Sequence, residues 1–359
     1  MYDYIIVGQG ISGTLLAHFL LQQKKNILIV DAVHAQAASR VAAGLINPIT
    51  GRHFVKTWMI DELLPTAVET YRALEELLGI SILEESPLVR VISDTKSYND
   101  WLVRSSNPDL HPYVDAPRQT SAYSSFLKEV QQVITFKQTS RVRMNALIEA
   151  YRPLLKEQAT YAQEIFDYAS FQLLEEGVQY KNWKAKRIIF AEGYRAIYNP
   201  YFNYMPFWPA KGDVLLVKIP NYPATNELLK HGVFIVPLSE PDLYWVGSSY
   251  QRNYTSTEPE QDARQTLEQR LQRILQLPFE VVEHKVAVRP TVRDRRPFIG
   301  PHPEHPALYL FNGMGAKGAS LAPFWAKALV DHLELGRPLD KSVHLSRYLR
   351  YFHDRTLKK

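Results

Sequence analysis

Gly8, Gly10 and Gly13 stand at the spacing Gly-x-Gly-x-x-Gly within IIVGQGISGTLLAHFLL. In such a loop the first glycine permits a tight turn, the second lets backbone approach a pyrophosphate, and the third lets a helix pack close to a strand. The phosphates then meet the free N–H groups and the positive dipole end of that helix, which begins around Ile11 and Ser12. Asp31, with Ala32 after it, follows about 20 residues on, where a carboxylate can hydrogen-bond an adenosine ribose. No arginine adjoins Asp31 to take a 2′-phosphate, which disfavours NADP. The chemistry is that of a dinucleotide. A bare glycine-rich turn is the alternative reading, and it leaves the flanking elements unexplained.

Those elements carry the right patterns. YIIVG is a short, apolar, β-branched run that predicts a buried parallel strand, SGTLLAHFLLQQ a helix packed on it, and NILIVD a second strand ending at Asp31. TWMIDELLPTAVETYRALEELLG predicts helix interrupted by Pro65, and Met144–Gln158 predicts another helix. Residues 85–140 are rich in Pro, Ser and Tyr and lack a clean helical period. AKRIIFAEGYRA predicts a buried strand ending in Gly193. KGDVLLVKI, GVFIVPL and LYWVGSSY read as strands joined by turns, the grammar of an antiparallel sheet. EQDARQTLEQRLQRIL reads as an amphipathic helix, ALYLFNG as a strand and SLAPFWAKALVDHLE as a helix. No internal repeat or low-complexity segment interrupts this order. The expectation is an α/β fold of two domains. A discontinuous Rossmann-like nucleotide domain takes residues 1–85, 142–205 and 285–359. A mainly antiparallel β domain, 86–141 and 206–284, is inserted into it.

The totals narrow the chemistry. With 359 residues the chain exceeds what one core usually supports. Lys+Arg 42 against Asp+Glu 37 gives a formal charge of +5, a mild excess with no long basic run. The absence of cysteine excludes disulfides, thiolate metal sites, iron–sulfur clusters and thiol nucleophiles. Two histidines, His302 and His305, stand in a proline-rich turn and make a poor ligand pair, so no metal site is expected. The start YDYIIV has no basic n-region, and no apolar run approaches the roughly 18 residues of a membrane span. A cytoplasmic protein without a membrane span is expected.

Over most of its length, and in order, the chain resembles the D-amino acid oxidase and glycine oxidase family of FAD-dependent oxidoreductases. IIVGQGISG and LIVD match its nucleotide loop. ASRVAAGLINP, with Ser39, Ala43 and Gly44, is similar to its small-residue loop beside the flavin. RIIFAEG is similar to its later nucleotide-domain strand, with Glu192 where the family has a small residue or threonine. WPAKGDVLLV and VGSSYQ resemble substrate-domain strands, and VAVRPTVRDRRPFIG and NGMGAKGASLAP resemble the two closing motifs. The resemblance implies FAD rather than NAD. It also implies hydride transfer to flavin N5 from an amine that carries a carboxylate, with oxygen or a quinone as electron acceptor. The cofactor then does the redox step, and the protein orients the substrate and sets the electrostatics.

The resemblance also implies site residues. Arg289, in AVRP, stands where the family places a carboxylate-binding arginine, and a planar guanidinium suits that task; a structural arginine bridging the domains is the alternative. Arg293 is a second candidate, with pairing to Asp294 or to cofactor phosphates as its other readings. Gly313, Gly315, Ala316, Lys317 and Gly318 join a strand to the last long helix, whose N-terminus would face the flavin pyrimidine. In sarcosine-oxidase-like relatives a lysine in the matching loop contacts substrate carboxylate, and in glycine-oxidase-like relatives other residues do so. Arg52 and Lys56 lie near the loop that covers the flavin, and Tyr250 is a candidate pocket residue. A small amine substrate is the leading expectation. The alternative is the oxidase half of the bifunctional enzyme of tRNA wobble-uridine modification, removing a carboxymethyl group from a secondary amine. The mild positive charge is compatible with tRNA without pointing to it. A flavin-binding protein without turnover is a third reading, against which Arg289 argues. The basic, aromatic tail HLSRYLRYFHDRTLKK reads as a last short helix against the nucleotide domain or as a partner-binding segment.

Overall fold

The computed structural model describes residues 1–223 and 225–356. Its first sheet is built on the strand Tyr2–Val7. Ile27–Val30 and then Thr160–Ala162 lie parallel on one side of it, and Trp183–Phe190 lies parallel on the other. The C-terminal half of Trp183–Phe190 continues into parallel Leu308–Asn312, while its N-terminal half pairs with antiparallel Val178–Tyr180. Alternation along the first strand decides the layers. Tyr4 and Ile6 face one core, with Leu15 and Leu16 of helix Ile11–Gln22 and Leu329 of helix Gly318–Leu335. Ile5 and Val7 face the other, an aromatic layer of Phe166, Tyr180, Phe190 and Phe202. This is the doubly covered parallel sheet that the apolar runs predict.

The second sheet has seven strands. Its order is Glu280–Arg289, Ala210–Lys218, Leu243–Gly247, Val233–Pro237, Leu228–His231, Leu88–Ile92 and Gln132–Phe136. All neighbours are antiparallel except Leu228–His231 with Leu88–Ile92. One face packs Leu215, Val217, Ile235 and Val246 against Leu267 and Leu271 of helix Gln261–Ile274. The opposite face, carrying Arg90, Lys230, Phe234, Val214 and Arg289, looks into a cavity. Along strands such as Ala210–Lys218 and Val233–Pro237 a period of two separates core from site.

Two expectations need correction. Helix Ile60–Leu78 runs unbroken through Pro65. The proline costs it only the bond to the carbonyl of Asp61, which stands in the exposed first turn and keeps access to water. Within 85–140, where no helical period was legible, Asp94 caps a helix Thr95–Ser105 by accepting from Ser97 N at 2.8 Å. That helix buries only Trp101, so it shows no apolar stripe.

The tail closes on the first sheet. Helix Leu349–Thr356 places Phe352 against Tyr204 and His302, and Arg347 donates to Asp294 at 3.1 Å. Residues 357–359 of the expected tail helix lie outside the described residues.

Gly13 is the tightest point. A β-carbon there would lie 1.8 Å from the carbonyl oxygen of Gly8. Gly13→Ala should therefore lose about 1–3 kcal/mol by overpacking, read as a lowered thermal midpoint. An unchanged midpoint would contradict the packing described.

Candidate functional site

A cavity of about 1290 Å³ lies between the two sheets. At one end are Gly8, Gly10, Ile11, Ser12, Asp31, Ala32, Ser39, Ala43, Gly44 and Gly193. Toward the other are Gly315, Ala316, Lys317 and Arg289, with Gly318 beside Ile11 and Arg52 on the loop that Arg90 holds.

The first end is a cradle for a dinucleotide. Gly8 holds φ +100°, and a β-carbon on it would come within 2.6 Å of the Ala191 carbonyl. Gly10 caps helix Ile11–Gln22, with no side-chain cap of its own and no acid in its first turn, so beyond the Ile11 N–H, which Ser39 takes, the helix end is available to an anion. Ser39 Oγ accepts from Ile11 N at 3.0 Å and pins the small-residue loop to this turn. Gly44, at φ +77°, lies so close to Val142 that a β-carbon would meet its carbonyl at 1.9 Å. Asp31 is placed as expected, and its oxygens already accept from Gln9 N and Val33 N, both at 2.8 Å. It therefore shapes the turn as well as facing the ligand space; Oδ2 also accepts from Tyr161 OH at 3.3 Å, which leaves Oδ1 with a lone pair for a ribose hydroxyl. These residues fit FAD: close backbone, a free helix end and a carboxylate, with no side chain filling the groove.

Glu192 is the departure flagged in the sequence. Its carboxylate turns aside, accepting from Tyr168 OH and, at 2.9 Å, from Asn199 Nδ2. Desolvation raises its pKa above the usual carboxylate range. The larger side chain is thus accommodated by two neutral donors beside the cradle.

The other end gathers cations. Arg289 lies across the strand Ala210–Lys218, donating to Ser248 Oγ at 2.7 Å, Ser249 O at 3.2 Å and Lys211 O at 3.3 Å. Burial lowers its pKa. The guanidinium can lie there only because residue 212 is glycine: a β-carbon would be 2.0 Å from its Nη2. Lys317 precedes helix Gly318–Leu335, and its Nζ approaches Thr57 Oγ1 at 3.5 Å. Burial, then the charges of Arg295 and Arg296, bring the Lys317 pKa down to about 8. Asn312 ties the two loops together, giving Nδ2 to Gly193 O at 2.9 Å while Oδ1 accepts from Gly313 N at 2.7 Å. Gly212, Ser248 and Thr57 were missed in the sequence. KGDVLLVKI and LYWVGSSY were legible there as strands, but a close approach across strands leaves no local pattern.

Not every candidate reaches the cavity. Gly13 serves helix packing, and Gly313, at φ +81°, turns the chain against Phe298 and Val292. Tyr250 is exposed outside the cavity, with Arg289 over its ring at 5.7 Å. Arg293 is exposed, and Asp294 pairs with Arg347 instead. Lys56 pairs with Asp61 at 2.6 Å. His302 and His305 stack on each other at 4.8 Å. Among the described residues no helix is long and apolar enough to cross a membrane.

Comparison with known proteins matches this architecture. The glycine oxidase of Bacillus licheniformis is 21% identical over 356 residues, 94% of each chain. A crystal structure of glycine oxidase from Bacillus cereus superposes with a TM-score of 0.78 at 19% identity, covering 94% of this chain and 96% of that one. The tRNA 5-methylaminomethyl-2-thiouridine biosynthesis bifunctional protein of Aeromonas hydrophila is 27% identical over 204 residues. That match takes in 47% of this chain and only 30% of the relative's length. The family model described as FAD dependent oxidoreductase matches residues 3–332. With its cradle, its two sheets and this match over nearly its whole length, the chain belongs to the FAD-dependent oxidoreductase family.

Proposed function

We propose that the protein oxidises the C–N bond of a small amino acid or secondary amine that carries a carboxylate. The observation that supports this most is Arg289. Its guanidinium is held against the cavity wall by a hydroxyl and two carbonyls, and no carboxylate pairs with it among the described residues. A fixed, unpaired guanidinium facing a cavity is suited to a carboxylate in bidentate geometry. Bound FAD supplies the two-electron acceptor. The chain's part is to hold the carboxylate on Arg289, to add the charge of Lys317, and to keep water from the reacting carbon with walls such as Trp245 and Phe234. Oxygen or a quinone would take the electrons onward.

A second reading, oxidative removal of a carboxymethyl group from a tRNA wobble-uridine side chain, is favoured by the partial match to the Aeromonas protein. The chemistry at Arg289 is common to both. A flavin-binding role without turnover would leave the unpaired guanidinium without a purpose. The domain division at 86–141 and 206–284 belongs to the same proposal, with the inserted part presenting Gly212, Lys230 and Ser248 to the cofactor domain.

Anaerobic addition of glycine, sarcosine or D-proline to the FAD-loaded protein should bleach the flavin absorbance with at least one of them. No bleaching by any would remove the small-amine reading. Arg289→Ala should keep FAD and lose at least a hundredfold in kcat/KM for the carboxylate substrate, about 2.7 kcal/mol of transition-state binding. Normal turnover would refute the assignment.

Asp31→Ala should raise the dissociation constant of FAD by tenfold or more in an apoprotein titration, and unchanged affinity would leave Asp31 a purely structural residue. Lys317 gives a pH signature. With its pKa depressed to about 8, it is cationic below that pH and neutral above it. Binding of a carboxylate inhibitor such as acetate should therefore weaken as pH rises through about 8, and Lys317→Met should remove that step. A flat profile in the wild type would take Lys317 out of the site.

A further inference from the structure

The cavity has a second cationic cluster that carboxylate binding at Arg289 leaves unused. Arg90 and Lys230 are register partners on neighbouring parallel strands, and both line the cavity. Arg90 lies over the Phe54 ring at 3.8 Å and donates to Gly51 O at 2.7 Å and Arg52 O at 3.3 Å, which draws the exposed Arg52 to the same end. Lys230 lies over Phe234 at 4.2 Å and has one carbonyl contact, Gly232 O at 3.3 Å. None of the three has a carboxylate partner among the described residues. The nearby lining acid, Asp94, is engaged by Ser97 N at 2.8 Å and Ser97 Oγ at 2.7 Å. Burial, and then the charges of Arg90 and Arg270, depress the Lys230 pKa to about 8. Half-buried like charges set side by side without a counterion oppose folding, and such arrangements mark anion sites.

The cluster is not part of the cofactor cradle. The cradle lies on the first sheet, whereas Arg90 and Lys230 lie on the second. Nor can a glycine-sized molecule held at Arg289 span the gap. The Arg289 guanidinium lies over Ala210–Lys218 at Gly212 and Lys230 lies over Phe234, which puts them two strands apart in the sheet order, about 10 Å at about 4.8 Å per strand.

We propose that the substrate is elongated and carries a phosphate at the end remote from its amine and carboxylate, and that Arg90, Lys230 and Arg52 bind that phosphate. Two guanidinium groups and an ammonium match a multiply charged oxyanion better than a single carboxylate. The inference rests on the amine-oxidation reading and names its substrate class. The phosphate could belong to a small phosphorylated amine or to a nucleotide.

The test is calorimetric titration of FAD-loaded protein with inorganic phosphate and with uridine 5′-monophosphate, beside chloride at equal ionic strength. Both should bind, more tightly than chloride. Lys230→Gln should weaken them tenfold or more, Lys230→Arg should restore most of that, and Arg289→Ala should leave them unchanged. Tighter binding of the nucleotide than of phosphate assigns the nucleotide source, and equal binding assigns a small phosphorylated amine. Binding no better than chloride, or binding unaffected by Lys230→Gln, overturns the proposal. If Lys230→Gln does not fold, Arg52→Ala on its exposed loop must still weaken binding several-fold. Flavin bleaching by a simple amine without phosphate binding would sink this subsite alone, and phosphate binding with no bleaching by either a simple or a phosphorylated amine would sink the amine-oxidation reading and leave only an anion site.

Discussion

Gly13 lies against the carbonyl of Gly8, and the positions of the other groups follow from that contact. It brings helix Ile11–Gln22 onto strand Tyr2–Val7 at the closest approach two backbones allow. The helix end then opens toward the turn between them, where Ser39 and Asp31 hold the neighbouring loops. Were the helix lifted by the width of a methyl group, the anion-facing end, the small-residue loop and the second strand would all lose register. The second sheet adds its walls to a cradle whose geometry is set by two residues without side chains.

The cavity also shows a division of electrostatic labour. The cradle end offers backbone and a helix dipole, with few formal charges, whereas the opposite end offers buried cations. Charges taken out of water without partners are expensive. The protein bears that cost at Arg289, Lys317 and Lys230 through hydroxyl, carbonyl and aromatic neighbours rather than through carboxylates. Such neighbours hold a cation in place without neutralising it, so the attraction is left for the ligand.

Much of this was legible in the sequence. The glycine spacing, the strand NILIVD and the helix Met144–Gln158 announced the first sheet because each is decided by local pattern. Arg289 and Lys317 were found because they stand in motifs with a family resemblance. What could not be read depends on contacts across the chain. Arg90 and Lys230 are 140 positions apart in sequence, yet register partners in the sheet. Glu192 finds its donors in Tyr168 and Asn199, which carry no motif. The helix Thr95–Ser105 has too small a buried face to leave a period, and Pro65 misled because a proline near a helix start removes a bond that water can replace.

Gly212 contributes no atom to the cavity chemistry, yet the guanidinium of Arg289 occupies the space that any side chain at that position would need. The proposed carboxylate site therefore has a silent point of failure. A chain could keep every charged group, every hydrogen-bonding serine and the whole nucleotide cradle, and still displace that guanidinium through the gain of one methyl group. In comparing natural variants of this fold, an intact arginine is an incomplete guide to activity; the empty space beneath it carries equal information.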